Sequence, residues 1–209
     1  MKRSPLSPST NPRRLALRLG GALTGAVLVA GAVFPASAGA TARASQVTPI
    51  ASCPSASSVS AAAGYSVPAA TQSSTTNTGS SAQFGSLTET TTICFYGTPS
   101  LQNMHFIEIV FGKLSKSIPE AQVKAYLQAQ AGKTNKALPG GGTFSFTFGT
   151  LNGVPVVWMS GGATVESFTF KFNATYGYKG GKLAGAAGLN TSKTKVNALA
   201  ELAFSKFGI

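Results

Sequence analysis

The sequence predicts an α+β domain: an antiparallel β-sheet flanked by helices, in the order α-β-β-α-β-β-β-α, with one disulfide. Three observations lead there. Phenylalanines alternate with other residues at Phe144, Phe146 and Phe148, and again at Phe168, Phe170 and Phe172. That period of two belongs to strands with one buried face. Capping residues open apolar helical patterns near Ser117 and Asn190. Cys53 and Cys94 are the only two cysteines in 209 residues.

The chain opens with a segment that stands apart from this domain. Lys2, Arg3, Arg13, Arg14 and Arg18 make a positive start, and Leu15 to Phe34 is a run rich in Ala, Gly, Leu and Val. Ala36-Ser37-Ala38 then supplies the small residues a signal peptidase needs. Residues 1–38 read as a secretory signal cleaved after Ala38, with cleavage after Ala40 fitting as well. The run is too short and Gly-rich for a membrane span of about 20 strongly apolar residues. Arg13-Arg14 reads as part of an ordinary basic segment, because Ala16 stands where a twin-arginine signal prefers a large apolar residue. Ile50-Ala51-Ser52-Cys53 imitates a lipobox, but Pro35 to Pro49 separate it from the apolar run. Export permits a Cys53–Cys94 disulfide; a lipidated Cys53 is the alternative. Closing that loop of roughly 40 residues stabilises a fold by about 4 kcal/mol on chain-entropy grounds.

Residues 39–52 are small, polar and aperiodic and read as a flexible leader; 53–209 form a single domain. Ser55 or Ser57 caps a short helix that Gly64 ends. Residues 66–88, rich in Ser, Thr, Asn and Gly, have little to bury and read as a long surface loop. Thr90 to Tyr96 is the first strand, Gly97-Thr98-Pro99-Ser100 a turn, and Met104 to Gly112 the second strand. Ser117-Ile118-Pro119-Glu120 has the form of a capping box. Val123, Tyr126, Leu127 and Gln130 continue that helix to Gly132. A glycine loop, 140–142, precedes the strand of Phe144. Asn152-Gly153 turns it into a return strand, Val154 to Met159, in which Pro155 marks a sheet edge. Ala163 to Phe172 is the last strand, and glycine-rich residues 177–188 loop out. Asn190 to Ser192 cap a closing helix with Val196, Leu199, Ala200, Ala203 and Phe207 on one face. The phenylalanine stripes are read as core.

Without its first 38 residues the chain keeps 171, enough for one domain that buries about 70% of its unfolded surface. Five of the 17 basic residues leave with the signal, so twelve face five glutamates and no aspartate, a net charge of +7. Such a protein is attracted to anionic wall polymers or lipid headgroups. Nucleic acid is not expected as a partner: export removes it, and Arg43 is the only arginine after the signal.

Catalytic chemistry finds no foothold. One histidine and no aspartate argue against a metal centre and a Ser-His-Asp triad. His105 and Glu108, three positions apart in a strand, face opposite ways. Ser192-Lys193-Thr194-Lys195 matches Ser-x-x-Lys but lacks the partner motifs of penicillin-binding enzymes. Gly132-Lys133-Thr134 imitates a phosphate loop, yet it ends a helix and has Leu127 where a glycine is needed. Glu108 and Glu166 fall in predicted strands, with surface or strand-edge roles. No catalytic residue, metal ligand or cofactor is therefore expected. The best contact surface is Tyr176-Gly177-Tyr178-Lys179-Gly180-Gly181-Lys182, where Tyr176, Tyr178, Lys179 and Lys182 offer aromatic faces and cations for sugars or anionic polymers.

Cys53-Pro54-Ser55 opening a short helix, Cys94-Phe95-Tyr96 in a strand and the Val196-Asn197-Ala198-Leu199-Ala200 helix resemble a group of secreted proteins and lipoproteins of actinobacteria. That group includes DUF3558-like and Mog1/PsbP-like domains. Over residues 53–209 the resemblance implies an antiparallel sheet flanked by helices. It favours binding or envelope roles over catalysis and carries no active site across. The expected function is a non-catalytic secreted domain binding a cell-envelope component or a small apolar ligand between sheet and helix. The alternatives are an interaction protein acting through an envelope partner and a hydrolase with an unrecognised site. The oligomeric state is left open.

Overall fold

A computed structural model describes residues 47–81, 84–97, 106–130, 134–135, 142–165 and 168–209. The signal segment, Ala38, most of the leader, His105, Gly132 and Glu166 lie outside them.

Helix α1 is Ala56–Ala63. The Ser55 side chain accepts from the Ser58 N–H, and Gly64 closes the helix at φ 73°. Strands β1 (Thr71–Ser81), β2 (Gly85–Tyr96) and β3 (Phe106–Leu114) follow. Helix α2 is Glu120–Gln130. Its first turn begins at the Pro119 carbonyl, which accepts from Gln122 and Val123. Then come β4 (Thr134–Asn135), β5 (Gly142–Leu151), β6 (Val154–Val165), β7 (Phe168–Lys179) and β8 (Lys182–Leu189). Helix α3 (Lys193–Phe207) is capped by the Ser192 side chain and ended by Gly208. Cys53 and Cys94 are bonded. Among the described residues no helix is long and apolar enough to cross a membrane.

The strands form one antiparallel sheet in the order β1-β2-β3-β8-β7-β6-β5-β4. After β3 the chain runs through α2 to the far edge, then meanders back until β8 pairs with β3. On one face α3 lies against β8, β7 and β3, and α1 packs on α3. Ile107, Ile109, Phe111, Ala184 and Ala186 meet Leu199, Ala203 and Phe204 in that core. The Trp158 indole and Thr175 hydroxyl both donate to the Asn197 carboxamide, at 2.9 and 2.8 Å, which fixes the helix on the sheet. The opposite face carries Val110, Val157, Met159, Tyr176 and Tyr178 together with Ile118 and Val123 beside and within α2.

Four expectations change. Residues 66–88 are not a loop, because β1 occupies Thr71–Ser81. What it lacks in burial it gains in cross-strand hydroxyl pairs: Ser74 with Thr92, Thr76 with Thr90, and Thr78 with Thr88, at 2.8–3.1 Å. Each such pair is worth roughly 0.2–1 kcal/mol. Residues 177–188 do not loop out either. Gly180-Gly181, both at positive φ, make a two-residue turn between β7 and β8. Pro155 marks no edge, since β6 lies between β5 and β7. The β6–β7 ladder begins one residue later, at Val156, so the missing N–H interrupts nothing. The order is therefore α-β-β-β-α-β-β-β-β-β-α.

Strand β8 reads Ala184-Gly185-Ala186-Ala187-Gly188, all buried. A Cβ at Gly185 would run into the Thr175 carbonyl oxygen and the Tyr176 ring. Gly185→Ala should lower the unfolding free energy by about 1–3 kcal/mol through overpacking, read from the midpoint of urea unfolding at unchanged slope. A midpoint equal to that of the parent protein would show that Tyr176 does not rest on this strand.

Candidate functional site

The alternation of β7 separates the four candidate contact residues. Tyr176 and Tyr178 point to the α2 face and are buried, whereas Lys179 falls on the other face and is exposed. The Lys182 ammonium donates to the Phe207 carbonyl and sits over the Phe207 ring at 5.4 Å. With Lys113, directly opposite it on β3, and Lys206 of α3, it rims a depression of about 480 Å³. These residues serve two surfaces on opposite sides of the sheet.

The α2 side holds the better-formed cavity, a groove of about 440 Å³ between helix and sheet. Phe148 of β5, Val157 and Met159 of β6, Tyr176 and Tyr178 of β7 and Leu183 of β8 form its floor. They share one face because the β5–β8 registers place these alternating positions side by side. Ala121, Val123 and Lys124 of α2 cover it. The Lys124 ammonium stands 5.9 Å from the Phe148 ring centre, a cation at the rim. The chain just before the helix is tied to the floor by Tyr178, whose hydroxyl accepts from the Ile118 N–H at 2.7 Å and donates to the Ile118 carbonyl at 2.9 Å.

Two carboxyls are buried on this same face. Glu108 is 0% exposed, and among the described residues neither of its oxygens has a hydrogen-bond partner. Burial pushes its carboxyl up to about 8. The Tyr176 hydroxyl is likewise buried and unpartnered. Burial, and secondly the nearby Glu108 carboxyl, hold that phenol well above its ordinary value. Glu89 is buried too. Burial raises it to about 7, against the lowering effect of the Thr91 hydroxyl that donates to it at 3.2 Å.

Glu108 was expected at a surface or strand edge. It is interior because β3 is central and covered on both faces, so every position from Phe106 to Gly112 is buried. Glu89 pairs with Leu114 and Glu108 with Phe95, six residues apart along the same two strands. At about 3.3 Å per residue that is roughly 20 Å, beyond the roughly 5–10 Å that paired hydrolytic carboxylates require. Glu166 and His105 lie outside the described residues. Among the described residues no three His, Cys, Asp or Glu side chains stand together as a metal group.

Comparison with protein-family models, with curated proteins and with solved structures finds no match to this chain.

The buried carboxyls make stability depend on pH. Between its ordinary value near 4.5 and about 8, Glu108 holds its proton in the folded state and loses it in the unfolded one. Stability therefore falls as pH rises through that window, by up to about 1.4 kcal/mol per pH unit. Glu89 adds to the fall up to about pH 7. Glu108→Gln should flatten the slope between pH 7 and 8 and stabilise the protein at pH 8, measured by urea unfolding across that range. A slope unchanged by the substitution would mean that this carboxyl is solvated or paired.

Proposed function

We propose that this chain is an exported, non-catalytic domain that holds a small apolar ligand between its sheet and helix α2. The single observation that carries this reading is the groove itself. Its volume of about 440 Å³ falls within the range of roughly 300–1,000 Å³ typical of small-molecule sites. Its floor is aromatic and aliphatic, and its polar groups are few. The signal-like start and the disulfide support an oxidising compartment outside the membrane. The lysines around the second depression support contact with an anionic polymer or lipid headgroup of the envelope.

A neutral, polarity-sensitive dye, N-phenyl-1-naphthylamine, tests the proposal. Saturable binding of one molecule per chain is expected. Ala121 is exposed at the groove's rim, so Ala121→Trp should block access without disturbing the core and weaken the dye at least tenfold. Dye uptake that never saturates, or that ignores this substitution, would overturn the reading.

A second reading, an interaction protein, is favoured by β1. This terminal strand has eleven residues with no charge and no proline, and one backbone edge lies outside the sheet. Native edges are usually blunted by such residues, and an unblunted one accepts a partner's strand. A photoreactive residue placed at Thr75 should then trap a partner protein in the producing cells. The absence of any adduct would set this reading aside.

A further inference from the structure

Three lysines share one rung of the sheet on its α3 face. The registers set Lys113 of β3 opposite Lys182 of β8, and Lys182 opposite Lys179 of β7. Neighbouring strands lie about 4.8 Å apart, and like charges directly opposite one another destabilise a sheet. Lys206, in the last turn of α3, adds a fourth cation at the same end. The helix explains part of this, because its last carbonyls attract cations. The Lys182 ammonium donates to the Phe207 carbonyl. Lys113 gains nothing of that kind: among the described residues its side chain has no carboxylate or hydrogen-bond acceptor. Lys113, Lys182 and Lys206 instead converge, from two strands and a helix, on the depression of about 480 Å³. Among the described residues no carboxylate lines it.

The rest of the wall is held in place by named bonds. Ile50, Ala51 and Ser52 close one side of the depression. The Ile50 N–H donates to the Thr92 hydroxyl at 3.0 Å, and the Gln72 carboxamide donates to the Ala51 carbonyl at 3.2 Å. The next residue, Cys53, is bonded to Cys94 of β2. The Phe207 ring, under the Lys182 ammonium, adds an apolar side. A concave site lined by one sign of charge, with apolar walls, focuses its field on a bound counter-ion.

The donors select the anion. No arginine lines the site, so the forked pairing that suits carboxylates is absent. A lysine acts as a point charge and is a common phosphate binder. A phosphate monoester carries a charge of about −1.5 to −2 and three strong acceptor oxygens. It can receive an ammonium from each of three sides. A carboxylate offers one charge and two oxygens.

We infer that this depression binds a phosphate monoester, on a lipid headgroup or on a free ester, through the ammonium groups of Lys113, Lys182 and Lys206. The site rests on the reading of these lysines as an envelope contact and is independent of the groove. It turns the general attraction of a basic protein for anions into one place with one chemistry. The Phe207 ring and Ile50 are left to meet whatever the phosphate is attached to.

Calorimetric titration at low ionic strength tests the site with glycerol 3-phosphate and with glycerate, which has a carboxylate in place of the phosphate ester. One glycerol 3-phosphate should bind per chain, about tenfold more tightly than glycerate. Lys113 and Lys206 are exposed, so Lys113→Gln and Lys206→Gln leave the core intact, and each should weaken the ester about fivefold or more. Lys193→Gln removes the same charge at the opposite end of α3 and should leave the affinity within about twofold. Phosphatidylcholine vesicles containing phosphatidic acid identify the source. Co-sedimentation that Lys113→Gln abolishes and glycerol 3-phosphate competes away assigns a lipid headgroup. A protein that binds the ester and ignores the vesicles assigns a free ester. Equal affinity for ester and glycerate, or an equal loss in all three variants, would overturn the site and leave only a general attraction for anions. Binding to neither ester nor vesicles would overturn the envelope-contact reading together with the site.

Discussion

Strand β8 carries nothing larger than a methyl group from Ala184 to Gly188, and the rest of the molecule is arranged around that absence. It lies at the centre of the sheet, between β3 and β7. On one face the missing bulk admits α3, whose Leu199, Ala203 and Phe204 share a core with Ala184 and Ala186. Gly177 on β7 extends the same allowance, since a Cβ there would stand 2.7–2.8 Å from Val154 and Phe204. On the other face the missing bulk admits the Tyr176 ring, which a Cβ at Gly185 would strike. Larger residues would lift α3 off one face and fill the floor of the other.

The two faces thus receive different chemistry from one alternating pattern. One is closed by helices and by the Cys53–Cys94 bond, with Trp158 clasped between Asn197 and the Lys193 ammonium, 4.4 Å from its ring. Among the described residues the other is covered by one eleven-residue helix, and Tyr178 ties down the chain that enters it at Ile118. The lysine-rimmed depression lies on the far side of the sheet from the groove, so the two proposed contacts would not compete.

Much of this was legible in the residues. The caps at Ser55 and Ser192, the Asn152-Gly153 turn, the hydroxyl–phenylalanine alternation of β5 and the cysteine pair each carry a local physical signal, and each forms as expected. What failed to read was structure made by neighbours. Strand β1 has no buried face, and only its pairing with β2 reveals it. Strand β8 looks like a loop because its glycines and alanines answer to the helix and the tyrosine pressed against them. Pro155 read as an edge because the offset of the β6–β7 ladder is invisible in sequence. The burial of Glu108 could have been seen: Phe106-Ile107-Glu108-Ile109-Val110-Phe111 is apolar on both faces, and a strand covered on both sides buries its glutamate whichever way it points. The groove itself could not, because it needs α2 to cross to the far side of the sheet.

The most direct test is the intact mass of the protein recovered from its producing cells, taken under native and then denaturing conditions. A ligand site between sheet and α2 predicts an added mass of a few hundred daltons, on the scale of the small ligands such pockets bury, in the native spectrum alone. The denaturing spectrum should then show the bare chain with its disulfide intact. Identical native and denaturing masses, in preparations that have met no detergent or organic solvent, would contradict it.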